Sequence, residues 1–488
     1  MLTCQYLQVY LPAEVWERVA QYLRLDDRCT LSCTSLVLST IIRPFIFGTL
    51  RFGQYSSWKN SLRRAEALTL VRPIQRNVHS ITFHLYYANF NTSTWSGSSS
   101  SSMYANGTSR VFASKSNAAI LKALPKLPRL SVLVLSVNHI PSHSWLVVIG
   151  LPALHDLELY SADGATPAPL PAPLPKSHIK NFTLRYVEYA SIVNALLGHL
   201  APSLEALRLL YRSGSENVVA LSFPPFPRLN QFMITGSREP KIPQGALVRL
   251  LIRSPAILHL EMNPSFHDGP LPETVLPNLQ SMTLYGVTTP FSPTFASPRT
   301  ISKLIIKMTG ESHTEESINE LLSAISENVS APSLSISGPW AARWSLFHLL
   351  QWNFGKLQSL HLQFPVYFFS PSAPYVCLPT GLPRTLERIT VELRHRAQGY
   401  KMAQISPFDH PELRDWPESL TAVKGNECLK EVRLEVWRVW DGAVVSKHDE
   451  EPGWWKKVWR VEGADGRWDM DTSSGQGIYL DELEARAA

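Results

Sequence analysis

The chain has few cysteines, no secretory leader pattern and no apolar run long enough to cross a membrane. Its five cysteines in 488 residues are odd in number and include no Cys-x-x-Cys pair, which argues against a disulfide framework and a zinc ribbon. The longest nearly apolar run, residues 145–154, is about half a membrane span. The first ten residues lack the basic segment and long apolar stretch of a signal peptide. We therefore expect an intracellular protein, cytoplasmic or nuclear, with no membrane partner.

Charge is also sparse. The 46 lysines and arginines exceed the 40 acidic residues by only six over the whole length. So small an excess does not predict a basic stripe, and nucleic-acid binding receives little support. Cys29 and Cys33 lie one helical turn apart without a second ligand pair, so we expect them to be buried structural residues rather than metal ligands.

Signatures of catalysis are missing as well. The sequence contains no Gly-x-x-x-x-Gly-Lys-Ser/Thr phosphate loop, no Gly-x-Ser-x-Gly elbow, no His-Glu-x-x-His helix and no Gly-x-Gly-x-x-Gly turn. We therefore predict no catalytic residue, no metal and no cofactor, and expect the protein to act by binding rather than as an enzyme.

One short pattern recurs along the chain: an apolar residue, two variable ones, an apolar, one variable and an apolar. It begins at Val78, Leu130, Leu154, Ile179, Leu204, Leu229, Ile257, Leu279, Ile301, Leu357, Leu386 and Leu429. Between residues 130 and 301 successive starts lie 22 to 28 residues apart, within the ~20–29-residue period of leucine-rich repeats. The closing alternation predicts a strand with its apolar residues inward, and each unit must stack on its neighbours to bury that face.

The segments between these strands show helical spacing or proline punctuation. Residues 192–200 and 318–329 each place their apolar side chains on one helical face. Seven of the 37 prolines stand two positions before an apolar residue that starts a strand: Pro128, Pro152, Pro202, Pro227, Pro255, Pro277 and Pro332. Proline cannot continue a helix, so it resets the backbone before each strand. The predicted fold class is α/β, a curved parallel sheet with helices outside, in which residues 331–339 count as a degenerate repeat because Ser337 and Pro339 break the pattern.

Composition divides the chain into four predicted parts. Residues 1–50 form a helical module, 51–77 a linker helix, 78–436 the repeats and 437–488 a tryptophan-rich end. Inside the repeats, the serine-rich segment 91–117 and the proline-rich segment 164–176 predict flexible insertions outside the packed arc. The last part holds six of the fourteen tryptophans and either caps the final repeat or binds a partner.

The N-terminal module predicts two or three short helices. The first has one apolar face, formed by Val15, Val19 and Leu23 with Trp16 beside them. The second is capped by Asp26 or Asp27 and carries Leu31, Leu38, Ile41 and Ile42 until Pro44 intervenes. Helices this short bury too little to be stable alone, so a partner surface would complete their core.

This module resembles an F-box, the element through which substrate receptors dock on the Skp adaptor of cullin-based ubiquitin ligases. The matching residues are Leu11-Pro12-x-Glu14-Val15, Val19, Leu23, Leu31, Ser35-Leu36-Val37 and Ile41-Ile42-Arg43-Pro44 leading to Phe47. An F-box followed by irregular leucine-rich repeats is similar to a large group of fungal F-box proteins. The resemblance implies a non-catalytic substrate receptor that contacts a Skp-type adaptor, and through it a cullin. The implied adaptor-binding residues are Leu11, Pro12, Val15, Val19, Leu23, Leu31, Leu36, Val37 and Ile41.

The variable strand positions would point out from the concave side and bind a protein substrate. The candidates are Asp156, Glu158, Tyr160, Arg185, Gln231, Met233, His259, Glu261, Tyr285, Lys303, Lys307 and His361. Their mixed charges suit a protein ligand better than a polyphosphate or a membrane. Two alternatives stay open: a leucine-rich-repeat scaffold with no ubiquitin role, capped by residues 11–50, and an enzyme on the concave face, for which the spacing shows no convergence of titratable residues.

Overall fold

The computed structural model describes residues 12–23, 25–52, 58–83, 107–136, 140–160, 168–185, 190–211, 222–236, 244–263, 271–285, 295–307, 315–338, 350, 354–366, 383–397, 428–440, 454–462 and 467–471. The chain divides into two units. The first comprises residues 1–229 and 240–246, and the second comprises residues 230–239 and 247–488.

Three short helices begin the first unit: α1 (Ala13–Tyr22), α2 (Leu25–Ser32) and α3 (Leu36–Phe47). The prediction that one continuous second helix carries Leu31, Leu38, Ile41 and Ile42 up to Pro44 is therefore wrong. The chain breaks at Ser35, which is extended and whose Oγ accepts a hydrogen bond from the Leu38 N–H at 3.1 Å, so that α3 starts as a new helix with its own N-cap. Pro44 lies inside α3, whose last turn is closed by the Gly48 N–H donating to the Pro44 carbonyl at 2.8 Å.

Six parallel strands follow in the first unit, each paired with the next in chain order. They are β1 (Thr49–Phe52), β2 (Ser80–Phe83), β3 (Val132–Ser136), β4 (Asp156–Tyr160), β5 (Asn181–Arg185) and β6 (Ala206–Tyr211). The elements between them are α4 (Trp58–Leu70), α5 (Arg72–Gln75), α6 (Gly107–Ala123) with the 3-10 turn Leu124–Lys126, α7 (Ser144–Gly150) and α8 (Ala190–Leu200). Helices between parallel strands make this unit α/β.

The second unit continues the same type of topology. Its strands are β7 (Gln231–Gly236), β8 (His259–Met262), β9 (Ser281–Tyr285), β10 (Arg299–Thr300), β11 (Lys303–Lys307), β12 (Val329–Ser330), β13 (Ser333–Ser337), β14 (Ser359–Val366), β15 (Arg388–Ala397), β16 (Glu431–Trp440), β17 (Trp454–Glu462) and β18 (Arg467–Asp471). The parallel order is β7-β8-β9-β11-β13-β14-β15-β16, while β10 pairs with β12 alone. Helices α9 (Gln244–Arg253) and α10 (Glu315–Asn328) precede β8 and β12.

The tryptophan-rich end supplies the last strands of this sheet. β17 pairs antiparallel with β16, and β18 pairs antiparallel with β17. Two antiparallel strands thus cover the edge that β16 would otherwise expose, which is what a cap must do. Whether this end also binds a partner stays a prediction.

The recurrent apolar pattern predicted strands correctly. Each of its twelve occurrences coincides with a parallel strand of the described residues, and the apolar residues predicted on one face of residues 192–200 are buried. Six further strands escaped prediction: β1, β10, β12, β13, β17 and β18. β1 pairs with β2 from Thr49↔Ser80 to Phe52↔Phe83, so the sheet begins before residue 78. β13 pairs on both sides and is not a degenerate repeat, because Leu334 and Ile336 are buried and Ser337 completes the strand.

Five of the seven prolines before the strands occupy the second position of a turn: Pro128, Pro152, Pro227, Pro255 and Pro277. The Leu130 N–H donates to the Leu127 carbonyl at 3.2 Å, and the Leu154 N–H donates to the Leu151 carbonyl at 3.3 Å, each across an intervening Pro-x pair. Proline suits this position because its ring fixes φ near the value that the turn needs. After the turn, two successive N–H groups donate to one carbonyl of the preceding repeat, as Ser131 and Val132 do to His79.

Both predicted insertions are more ordered than expected where the structure describes them. Residues 107–117 lie in α6, which packs beside α4 and buries Ile120 and Leu121, while residues 91–106 lie outside the described residues. In the proline-rich segment, residues 168–176 are irregular but held in place, while 164–167 lie outside the described part. The Ser142 hydroxyl donates to the Pro169 carbonyl at 2.8 Å, and Nε2 of His199 lies 2.7 Å from the Pro175 carbonyl. This segment therefore runs against α7 and α8 in the place where other connections have a helix.

A buried asparagine fastens the loop before β10 to the end of α10. The side chain of Asn328 accepts from the Phe295 N–H at 2.9 Å and donates to the Phe295 carbonyl at 2.7 Å. Arg299 lies over the Phe295 ring, 4.6 Å from its centroid, and donates to the Leu276 carbonyl at 2.8 Å. Burial lowers the pKa of Arg299, and the Glu273 carboxylate opposes that shift.

Replacing Asn328 by alanine is expected to lower the free energy of unfolding by about 2 kcal/mol, because two buried backbone groups lose their partners. The urea midpoint followed by circular dichroism measures this change. The neighbouring exposed residue provides the control, since Glu327→Ala should leave the midpoint almost unchanged. Equal midpoints for the two variants would contradict the role assigned to Asn328.

Candidate functional site

In β4, β8 and β11, alternate residues divide between a buried face and an outward face, whereas in β5, β9 and β13 the third residue is buried as well. In β4, Leu157 and Leu159 are buried, whereas Asp156 and Glu158 are half-buried. The predicted substrate-binding residues all occupy the first, third or fifth position of a strand. They are Asp156, Glu158 and Tyr160 in β4, Arg185 in β5, Gln231 and Met233 in β7, His259 and Glu261 in β8, Tyr285 in β9, Lys303 and Lys307 in β11, and His361 in β14. Within each unit, the structure therefore places them on the outward strand face, with the exception of Tyr160.

In the first unit, neighbouring strands pair their outward charges. Asn181 donates to the Asp156 carboxylate. Nε of Arg185 lies 2.5 Å from Oε1 of Glu158, and the Arg185 side chain remains 46 % exposed. The guanidinium thus keeps donors available for a ligand while its position is fixed by Glu158.

The prediction that Tyr160 is exposed on this face and binds a substrate is wrong. Tyr160 is buried, and its hydroxyl donates to the Phe83 carbonyl at the end of β2. Its ring therefore reaches across β3 instead of pointing to solvent, because a hydroxyl at the end of a strand can satisfy a free carbonyl there. A substrate would not contact Tyr160.

In the second unit, three outward residues on adjacent strands form a connected cluster. The Tyr285 hydroxyl donates to Oε2 of Glu261 at 2.9 Å, and Nζ of Lys307 donates to the Tyr285 hydroxyl at 2.6 Å. Lys307 also lies 4.4 Å from the centroid of the Tyr285 ring. The cluster presents opposite charges joined by an aromatic ring. Tyrosine is enriched in protein-binding surfaces. Beside it, Gln231 and Lys303 are exposed, and Met233 and His259 are half-buried.

A second cluster contains two residues that the sequence did not single out, Ser335 and Glu392. Oγ of Ser335 lies 3.2 Å from Nδ1 of His361. Nε2 of His361 lies 3.2 Å from Oε2 of Glu392, without the alignment of a hydrogen bond, and the Gln363 amide donates to Oε1 of Glu392 at 2.7 Å. Both missed residues stand at third or fifth positions of strands, so the same alternation that marked His361 also applies to them.

A serine, a histidine and a carboxylate in series have the composition of a hydrolytic relay. The strand geometry argues against that chemistry here. Ser335 is buried in the middle of β13, which pairs with β11 on one side and β14 on the other, so the backbone N–H groups around it are engaged in the sheet. Acyl transfer needs free N–H donors to stabilise the developing oxyanion. The cluster is better suited to fixing His361 at the surface, half-exposed, than to attacking a substrate.

The N-terminal helices present a second surface, which is apolar. Ala20, Leu38 and Ile42 are their buried core, and the half-buried residues packed on it are Trp16, Leu31, Ile41, Phe45 and Ile46. Arg28 fastens the helices through bonds to the carbonyls of Phe45 (3.3 Å) and Gln21 (3.0 Å). Large apolar side chains nevertheless face solvent: Val15, Tyr22, Leu25, Leu36 (78 % exposed) and Val37 (67 %).

The predicted adaptor-binding residues divide between these two environments. Leu11 lies outside the described residues. Of the others, Pro12, Val15, Leu36 and Val37 are exposed, and Val19 and Leu23 are half-buried. Leu31 and Ile41 pack against the small core. The exposed pair at the start of α3 therefore offers the largest apolar area for a partner.

The prediction that Cys29 and Cys33 are buried structural residues is wrong. Cys29 and Cys33 are exposed rather than buried, because α2 contributes no fully buried residue. Partial burial raises the pKa of the Cys29 thiol, and the Asp26 carboxylate and Cys33 add to the rise.

Within the described ranges, no group of three histidine, cysteine or acidic residues could hold a metal ion, and no helix is long and apolar enough to cross a bilayer.

The position of Asp26 predicts a change in thiol reactivity. Asp26→Asn should raise the rate of Cys29 alkylation by iodoacetamide at pH 8 about twofold, because losing the carboxylate lowers the thiol pKa and increases the thiolate fraction. Mass spectrometry of timed samples measures the rate. Asp27→Asn removes a neighbouring carboxylate that does not act on Cys29 and should change little; an equal effect of both substitutions would refute the assignment.

Comparison with known proteins yields no match, either to a family model or to a curated protein. The class defined by the structure alone is an α/β protein whose parallel strands present polar residues outward, preceded by a small helical module with an exposed apolar surface.

Proposed function

We propose that this protein is the substrate-recognition subunit of a Skp–cullin–F-box ubiquitin ligase. In this proposal, α1–α3 are an F-box that docks on a Skp-type adaptor, and the parallel strands are irregular leucine-rich repeats whose outward face holds a protein substrate. The protein itself catalyses nothing. Ubiquitin transfer belongs to other subunits, and the receptor raises the effective concentration of substrate lysines near the ubiquitin-carrying enzyme.

The observation that carries this proposal is the exposed apolar surface of the N-terminal helices. The part of the chain that the structure describes exposes nine large hydrophobic residues, and five of these lie between positions 15 and 37. The module has only three buried residues in its own core. Exposed apolar clusters of this kind mark interaction sites, and burial against a partner would complete a core that is too small alone.

The outward strand face supports the second half of the proposal. It combines Arg185 with Glu158 in one unit and Lys307 with Tyr285 and Glu261 in the other. Paired charges with an aromatic side chain favour specificity for a protein surface, since each charge is already positioned by its neighbour before binding.

Reconstitution tests adaptor binding directly. The full-length chain is mixed with a purified Skp-type adaptor and examined by size-exclusion chromatography with light scattering. We expect a one-to-one complex, and we expect a chain lacking residues 1–47, which retains β1, to stay in solution without binding. Absence of a complex with the full chain would contradict the proposal. So would aggregation of the shortened chain, which would indicate that the helices only cap the sheet.

A further inference from the structure

The net positive charge of the chain lies in one segment that has almost no acidic residues. Residues 28–155 contain thirteen lysines and arginines against a single acidic residue, Glu66, a net charge of +12. The whole chain carries +6, so the remaining residues together carry −6. The interpretation that so small an excess does not indicate a basic stripe is therefore wrong for this segment, because an excess of acidic residues elsewhere offsets a strongly basic region.

Part of this charge lies on the helices after β1. α4 packs against α6, and α5 begins two residues after α4 ends. Nζ of Lys126 donates to the Thr69 carbonyl at 2.8 Å, which joins the end of the α6 segment to the end of α4. The exposed bases on these elements include Arg63, Arg64, Arg72, Arg76, Lys122 and Lys126. Among the residues that the structure describes, none of them forms an ion pair.

Two exposed aliphatic side chains stand among these bases. Leu70 is 79 % exposed and Val71 38 %, directly between Thr69, which receives the Lys126 bond, and Arg72. We call the set formed by Leu70, Val71 and the six bases named above, which lie on α4, α5 and the α6 segment, the basic corner. Glu66 of α4 is the only carboxylate in residues 28–155, so a single negative charge within this part of the chain opposes the six bases.

We propose that the basic corner binds an acidic polypeptide segment that carries an aliphatic anchor. The guanidinium groups of the arginines can form bidentate hydrogen bonds with carboxylates of the peptide. Leu70 and Val71 would contact an apolar side chain that lies between the acidic residues of the peptide. Unpaired bases also speed association with an acidic partner by long-range attraction. The site is separate from α1–α3 and from the outward strand face, and it stands whether or not the adaptor binds.

The other polyanions fit this surface less well. Proteins that bind single-stranded nucleic acid stack bases on exposed aromatic rings, whereas the large exposed apolar residues among the described side chains of these elements are a leucine and a valine. Insertion into a membrane surface needs a broad apolar face on an amphipathic helix, and two aliphatic side chains provide little area for it. An acidic peptide uses both the charges and the aliphatic pair.

Fluorescence anisotropy with the full-length chain tests the proposal. The probe is a labelled glutamate-rich peptide with a central Leu-Leu pair, measured at low and at physiological salt. We expect binding that weakens with salt, and a loss of at least about tenfold in the triple variant Arg72→Glu, Arg76→Glu, Lys126→Glu. The matched control reverses three exposed bases elsewhere, Arg228→Glu, Lys356→Glu and Arg384→Glu, and should bind nearly as well as the wild type.

Leu70→Ser with Val71→Ser separates the apolar contribution from the charge and should weaken peptide binding several-fold with the net charge unchanged. This variant also keeps the test decisive if the triple variant does not fold. Absence of peptide binding at low salt, or equal loss in the matched control, would overturn the proposal. Tighter binding of single-stranded DNA, duplex DNA or phosphatidylserine vesicles than of the peptide would overturn it as well.

Discussion

Replacing Leu36 and Val37 by serine is expected to weaken binding to the Skp-type adaptor at least about a hundredfold. These two residues are 78 % and 67 % exposed at the start of α3, and full burial of such side chains in an interface stabilises it by roughly 1.5–3 kcal/mol each. Serine is well tolerated in the first turn of a helix, so the fold should persist. Calorimetric titration with the adaptor measures the affinity, and circular dichroism verifies folding.

The chain offers a matched control for this pair. Leu70 and Val71 form the same dipeptide, also exposed, outside the proposed docking helices. Leu70→Ser with Val71→Ser should therefore leave adaptor binding unchanged. If both double variants lose binding equally, or neither does, the exposed start of α3 is not the docking surface.

The second large effect concerns the buried face of the sheet. Phe182 is fully buried at the second position of β5, paired in register with Leu157 of β4 and Leu207 of β6. Phe182→Ala should lower the free energy of unfolding by about 3–5 kcal/mol, because the cavity left in a stacked core closes only partly. Hydrogen exchange of peptides covering β4, β5 and β6, together with the urea midpoint, measures the loss.

An outward residue of the same strand provides the comparison. Arg185 is exposed at the fifth position of β5, and Arg185→Ala removes only its half-exposed pair with Glu158. We expect a change below about 1 kcal/mol. A cost comparable to that of Phe182→Ala would mean that the two faces are not assigned correctly.

The period of the apolar pattern and the alternation of apolar residues within it predicted most of the strands, because every repeat must bury the same positions. Twelve parallel strands followed from that rule, while β13 escaped because polar residues follow its short apolar core. Helix boundaries were harder. The break at Ser35 depends on a side-chain cap, and α6 formed within a segment whose composition suggested flexibility, because it packs on α4.

The site was less accessible to prediction because its contacts join distant parts of the chain. Ser335, His361 and Glu392 meet only through the register of β13, β14 and β15. The burial of Tyr160 depends on a carbonyl 77 residues earlier. The basic region, by contrast, was readable from the sequence once charge is counted by segment rather than over the whole chain.

Assembly with a cullin tests the central claim most directly. The full-length chain, a purified Skp-type adaptor and the adaptor-binding part of a cullin are combined in all pairs and as a trio, and the species are resolved by size exclusion with light scattering. The proposed function predicts a one-to-one-to-one complex of all three and no complex of the chain with the cullin alone. An adaptor–cullin complex that forms normally and leaves the chain unbound would contradict it.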